Sequence, residues 1–333
     1  MPEVSPRRTV PASVDEAATV VLAEVVRSGF VEGRHRGSLV VLSATGVSLL
    51  ERGDVRSPIF PRSCTKLMQA TGLVELGFPE RGELLALAAA SHSGSPMHVD
   101  GVRRILAAAG LDEGALRTPA DWPMDDDERD ALLRAGGAPD PILMNCSGKH
   151  AAMLAVCVEH GWPLESYRDA GHPVQVHLAG TIERMAGERI AATGIDGCGA
   201  PVSALSLTAM ARAYSGAVLA APGSPQRLVA DAMRGHPDHV AGPSRDVTRL
   251  MRGVPGLLAK DGAEGVFVAA LADGTALALK VDDGAARPRP LVVSAVLRHL
   301  GVEARVLDDF DAEPLLGGGA RVGEVRVPAD LLS

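Results

Sequence analysis

The chain of 333 residues is 46% hydrophobic and 22% charged, the balance of a soluble globular protein with room for one large domain or two ordinary ones. A net charge of −8 with only 3% aromatic residues leaves neither the basic surface nor the stacking platform that nucleic acid binding needs. No apolar run reaches the roughly 18 residues of a membrane helix, and four cysteines (Cys64, Cys146, Cys157, Cys198) are too few and too dispersed for a disulfide scaffold. Residues 1–18 read as a loose leader, with no apolar segment behind Arg7 and Arg8 that would make a secretory signal. A cytoplasmic protein is the expectation, with residues 19–333 as a single catalytic domain.

Taken in order, Val20–Val26 is a short apolar strand, and Leu39–Leu42 and Val47–Leu50 flank a Thr45-Gly46 turn as a hairpin. A helix starts after Pro61 and runs to about Leu76, stopped by Gly77 and Pro79. Arg81–Ala90 reads as a buried helix leading into Ser91-His92-Ser93. Ser95 and Pro96 open another that reaches about Ala109. Thr118–Asp140, rich in Pro, Gly and Asp, is a surface excursion with a short helix in Asp127–Ala135. Asn145–His160 and Pro173–Thr193 are the next helices, and residues of about 100–255 read as almost wholly helical. Gly265–Ala272 and Thr275–Val281 form a second hairpin around Asp273-Gly274, followed by a helix near Leu291–Leu300 and a strand near Val322–Val327. Strands at both ends with helices between predict an α+β fold: an antiparallel sheet from N- and C-terminal strands, flanked by helices and carrying a large helical insertion.

The chemistry concentrates on lysine. Of 33 basic residues only Lys66, Lys149, Lys260 and Lys280 are lysines, the rest being arginine. Where any cation would serve, this chain writes arginine; a retained lysine marks a place that needs reversible loss of a proton. Ser63 and Lys66 are three residues apart, which on a helix puts them on one face, so a neutral Lys66 amine can take the hydroxyl proton of Ser63. Lys260 stands at the entrance to the second hairpin, either assisting a serine or pairing with Glu264 on the surface. In Ser91-His92-Ser93 the serines suit capping and His92 suits a hydrogen-bonded structural role. Cys146, Lys149 and Cys198 offer two thiolates and an amine to zinc, or else are buried side chains with no metal.

Several stretches together resemble one family: Arg62-Ser-Cys-Thr-Lys66, Ala90-Ser-His-Ser-Gly94, Asn145-Cys-Ser-Gly-Lys-His150, Gly194-Ile-Asp-Gly-Cys198, His236-Pro-Asp-His-Val-Ala-Gly242 and Lys260-Asp-Gly-Ala-Glu-Gly265. In this order they are similar to the Rhizobium etli-type, class 3 L-asparaginases, over residues from about 23 to 328. The resemblance implies a β-lactamase/glutaminase-like fold, hydrolysis of L-asparagine to L-aspartate and ammonia, and a homodimer. It implies two serine–lysine tandems, Ser63 with Lys66 and Ser91 with Lys260, and zinc held by Cys146, Lys149 and Cys198. With two thiolates as ligands, such a zinc is expected to position the substrate's α-carboxylate and α-amine rather than to generate hydroxide. Alternatives are a glutaminase, a penicillin-recognising hydrolase, though Lys-Thr-Gly and Ser-Asp-Asn are both missing, or a non-catalytic zinc-dependent asparagine-binding protein.

Overall fold

Apolar alternation near both ends of the chain does what it must, which is to bury one face of each strand against its neighbours. In the computed structural model, which describes residues 18–333, the leader assigned to 1–18 lies outside the described residues except for Ala18. The N-terminal strands are β1 (Val20–Arg27), β2 (Phe30–Leu42) and β3 (Ser48–Arg52). Ser28 and Gly29 join β1 to β2 with φ of 49° and 82°, the left-handed pair that a two-residue hairpin needs to match strand twist. The next helices are α1 (Lys66–Glu75), α2 (Gly82–Ala88), α3 (Pro96–Ala108), α4 (Asp126–Arg134), α5 (Ser147–Glu159) and α6 (Pro173–Ala186). After a small hairpin of β4 (Thr193–Ile195) and β5 (Pro201–Ser203) come α7 (Leu207–Leu219), α8 (Pro225–Gly235), α9 (Pro237–Val240) and α10 (Asp246–Gly253). The chain then returns to the sheet with β6 (Leu258–Gly262), β7 (Val266–Ala270) and β8 (Ala276–Val281), crosses as α11 (Pro288–His299), and ends in β9 (Glu313–Gly317) and β10 (Ala320–Arg326).

The strands lie in the order β6-β7-β8-β2-β1-β10-β9, with β3 added beside β2. Every pairing is antiparallel. Both ends of the chain therefore share one sheet, as the sequence predicts. The junction of its two halves is the long β2, whose residues 37–42 pair with β8 and whose earlier residues pair with β1. At Gly37 a Cβ would fall 2.0 Å from the Lys280 carbonyl oxygen, so only glycine lets β2 and β8 approach there. Helix α7 lies across β2, β7 and β8, while α11 buries Leu291 against Ala23, Val25 and Val325. Helix α1 is buried from Lys66 to Leu73 and packs on α5, α6 and α8. No helix among the described residues is long and apolar enough to cross a membrane.

Two expectations change. The helix placed over Pro173–Thr193 stops at Ala186, because Gly187 takes a left-handed φ of 60° and caps it. The residues beyond it pair as β4 with β5, so the middle of the chain is not wholly helical. The second difference is β6. Lys260 was expected at the mouth of a hairpin and instead sits in the middle of an entirely buried strand. The Glu264-Gly265 turn, with φ of 60° and 70°, folds β6 directly onto β7.

Candidate active site

The turn that carries Ser63 is a 3-10 segment, Arg62–Thr65, which feeds straight into α1. It is clamped from several sides. Thr65 Oγ1 donates to Arg62 O at 2.9 Å, Cys64 Sγ donates to Lys260 O at 3.2 Å, and Tyr214 OH donates to Cys64 O at 2.9 Å. Cys64, buried in the core, is thus also the contact that seats the Ser63 turn against β6. Arg62 holds a left-handed φ of 52°, a conformation that costs a non-glycine residue on the order of 1 kcal/mol or more. Its Nε donates to Asp196 Oδ1 at 2.7 Å, so the strained residue is tied to the loop that bears Cys198.

Ser91 leaves α2 in an extended segment held on both sides: Ser91 N donates to Val240 O at 2.9 Å, and His92 N to Asn145 O at 3.0 Å. The His236–Gly242 and Asn145–His150 stretches therefore buttress Ser91 from opposite sides. His92 Nδ1 accepts from Gly94 N at 3.2 Å, which leaves Nε2 to donate to Ser147 Oγ at 2.8 Å. Its ring stacks on His98 at 5.1 Å. Burial drives the pKa of His92 far down, and His92 is a neutral structural histidine.

Lys66 is 1% exposed. Its Nζ donates to Ala90 O, to Ser91 Oγ at 2.9 Å and to Cys146 Sγ at 3.0 Å. The hydroxyl on Lys66 is thus that of Ser91, 25 residues away, while Ser63 lines the same cavity. Burial pulls the pKa of Lys66 below the usual lysine value; the Cys146 sulfur opposes this, and the Lys149 and Lys260 ammonium groups add to it. Lys260 Nζ donates to the carbonyl oxygen and to Oδ1 of Asp261, both at 2.7 Å. Its ion-pair partner is Asp261, not Glu264. Arg245 donates to Oδ2 of the same carboxylate, and the three cations Lys260, Arg245 and Arg289 hold Asp261 far below the usual carboxylate range against the cost of burial.

Cys146, Lys149 and Cys198 come together, exposed by 3%, 2% and 1%. The two thiols share a hydrogen bond that lowers the pKa of Cys198 and raises that of Cys146, so the pair readily carries one negative charge and resists a second. Burial opposes the charge on Lys149, but the two sulfurs outweigh it and raise its pKa. Lys149 Nζ lies 3.5 Å from Cys198 Sγ. That matches the edge of a tetrahedron with metal–sulfur and metal–nitrogen bonds of about 2.3 and 2.0 Å, whose neighbouring ligand atoms are about 3.5 Å apart. Among the described residues no group of three or more His, Cys, Asp or Glu side chains is placed to hold a metal. For a zinc held by these two cysteines the Lys149 amine stands at ligand distance as a further donor, and binding would have to displace its proton.

One cavity of about 430 Å³ unites these parts, with Ser63, Ser91, Cys146 and Cys198 on its walls. Lys66, Lys149 and Lys260 lie behind that surface. The residues the sequence did not single out are Arg62, Asp196, Arg245, Asp261 and Arg289, all lining the same cavity. In a chain where arginine is the default cation, nothing local distinguishes these arginines. Three solved structures are similar in general architecture. A β-lactamase from Mycobacterium bovis is 17% identical, with 79% of this chain covering 94% of that one at a TM-score of 0.43. A putative β-lactamase from Bacteroides dorei is 13% identical, with coverage of 80% and 93% and a TM-score of 0.41. Mglu in its tris and glutamate form is 14% identical, with coverage of 85% and 63% and a TM-score of 0.37. No curated protein sequence matches the chain. The family described as L-asparaginase II matches residues 23–327, nearly the whole chain, and this protein belongs to that family of amidohydrolases.

Proposed function

We propose that the protein hydrolyses the side-chain amide of L-asparagine to L-aspartate and ammonia, with Ser63 as nucleophile and Lys66 as its base. Beside family membership, the observation that supports this reading is the single cavity exposing Ser63 and Ser91 over a buried Lys66 whose pKa is lowered. A neutral Lys66 amine takes the Ser63 proton as Oγ attacks the amide carbon. Backbone N–H groups of the Arg62–Thr65 turn stabilise the oxyanion. Collapse of the tetrahedral intermediate breaks the C–N bond, Lys66 returns the proton to the departing ammonia, and water then hydrolyses the acyl-enzyme by the same route. Ser91, bonded to Lys66 at 2.9 Å, carries protons between them. Lys260 helps to keep Lys66 neutral by charge repulsion. Zinc on Cys146, Lys149 and Cys198 supplies, when bound, a Lewis-acid contact that positions the amino acid.

The Lys66–Ser91 hydrogen bond favours one competing reading, in which Ser91 is the attacking oxygen. Ammonia release from L-asparagine and L-glutamine, measured with added zinc for wild type, Ser63→Ala and Ser91→Ala, separates the two. Ser63→Ala is expected to lose on the order of 10³–10⁶ in kcat. More than about a tenth of wild-type activity in that variant, with none in Ser91→Ala, would hand the role to Ser91. Hydrolysis of neither amide would leave a binding protein.

A further inference from the structure

The cations around the cavity differ in how fully they are engaged. On the side built by Asn145–Cys146 and Asp196–Cys198 the Asp196 carboxylate is already paired with Arg62 at 2.7 Å, and Lys149 stands behind the two cysteines. The end formed by β6, the residue before α10 and the first turn of α11 gathers Lys260, Arg245 and Arg289 about the carboxylates of Asp261 and Asp246, with Glu264 also on the cavity lining. Both oxygens of Asp261 are already engaged, by Lys260 and by Arg245.

Arg289 is the cation left over. It is 7% exposed and fixed by main-chain carbonyls: Nη1 donates to Gly262 O at 2.8 Å and Nε to Ala286 O at 3.2 Å. Its Nη2 stands 3.8 Å from both Asp246 and Asp261, beyond hydrogen-bond reach of either. The side chain lines the cavity. A cavity-lining guanidinium held rigid through two of its nitrogens, with its third nitrogen making no hydrogen bond to Asp246 or Asp261, is preorganised to receive a carboxylate. It is also coupled to the reacting end, because Gly262, whose carbonyl anchors Arg289, packs so closely on the Ser63 turn that a Cβ there would fall 2.6 Å from Pro61 O.

We infer that Arg289, with Arg245 beside it, forms the subsite for the α-carboxylate of the amino acid whose side-chain amide meets Ser63. This rests on the proposed hydrolysis and places the carboxylate on Arg289 rather than on the zinc side, where the sequence expectation had put it. Arg289 fixes the distance at which a side-chain amide reaches the serine, so it sets substrate class as well as affinity.

The test pairs L-aspartate, the product, with β-alanine, which is the same molecule without the α-carboxylate. Calorimetry on zinc-loaded wild type, Arg289→Lys and Arg289→Gln should show aspartate binding that weakens by about 10- to 100-fold in Arg289→Gln, the loss of a charge-assisted hydrogen bond. Arg289→Lys, which keeps the charge but not the fork, should fall between. β-Alanine should bind the wild type at least about tenfold more weakly than aspartate, and equally in all three proteins. That wild-type comparison needs no variant to fold, and equal affinity for the two ligands overturns the subsite. So does an Arg289→Gln protein that binds aspartate unchanged or loses both ligands alike. In turnover, Arg289→Gln should raise KM for asparagine with little change in kcat. Aspartate binding that depends on Arg289 with no ammonia release from asparagine would refute the hydrolase and keep the subsite.

Discussion

Lys66 and Lys260 are equally hidden, at 1% and 0% exposure, yet the protein accommodates them in opposite ways. Around Lys66 the hydrogen-bond partners are a carbonyl, a hydroxyl and a thiol, with no carboxylate among them, and the nearby imidazoles His92 and His98 are held neutral by burial. Around Lys260 the contacts are built for charge: Asp261 at 2.7 Å, with Arg245 on the same carboxylate and Arg289 3.8 Å from it. The first region makes the charged amine costly and therefore makes a base; the second makes an ion pair and therefore a fixed wall. Burial alone does not decide what a lysine does. The counter-charge does.

The sharpest way to break this contrast is Lys66→Met. If the region around Lys66 is built for a neutral amine, an apolar chain of similar length should fit with stability at or above that of wild type. Activity should fall by about 10²–10⁴, the usual contribution of a positioned general base. Urea unfolding and kcat measured on the same preparation check both halves. A variant that unfolds more than about 2 kcal/mol more easily would mean that Lys66 carries a stabilising charge, and the distinction between the two lysines would collapse.

Asp261→Asn attacks the other side. It leaves Lys260, Arg245 and Arg289 clustered with their shared carboxylate gone, and removing one partner of a buried ionic group typically costs about 3–5 kcal/mol. Unfolding free energy is the readout; a loss under about 1 kcal/mol would show that the wall does not depend on its carboxylate. The same substitution should leave the hydrogen bonds of Lys66 in place, so added stabilising solute should rescue folding and a measurable fraction of turnover together.

How far the sequence spoke follows the same division. The serine, lysine and cysteine cluster was legible because it is written in scarce residue types at short spacing: Ser63 with Lys66, and Cys146 with Lys149. A chain that keeps four lysines among 33 basic residues advertises them. The sheet from both chain ends was legible through period-two alternation and turn glycines. The ionic wall was not. Arg245 and Arg289 look like any other arginines here, and Leu258–Gly262 contains Lys-Asp-Gly, which local propensity assigns to a loop. It becomes a strand because Arg245 ahead of α10 and Arg289 in α11, on either side of it in the chain, approach Asp261 and let the lysine and aspartate be buried. Likewise no local spacing could reveal that the hydroxyl on Lys66 belongs to Ser91.

Acid should dismantle the two regions at different pH, and His98 sets the first step. Burial, its largest influence, lowers its pKa from 6.5 to about 4, with His239 adding to the effect and the Asp238 carbonyl opposing it. Ser95 Oγ donates to Nδ1 at 2.7 Å and Nε2 donates to Asp238 O at 2.8 Å, which fixes the neutral ring. Because the folded-state pKa lies below the unfolded one, the unfolded chain takes the proton first as pH falls. Stability due to neutral His98 is therefore complete above pH 6.5 and is lost between 6.5 and about 4, by about 3 kcal/mol in all. Asp261 works with the opposite sign: its depressed pKa gives stability that is complete above 3.8 and is lost only below that value. Urea unfolding of wild type and His98→Gln at steps from pH 7 to 4 should show the variant's stability falling less over that interval by about the His98 contribution. Parallel curves would locate the acid sensitivity elsewhere: in His92, which leaves the order of failure as it is, or in the ionic wall, which reverses it.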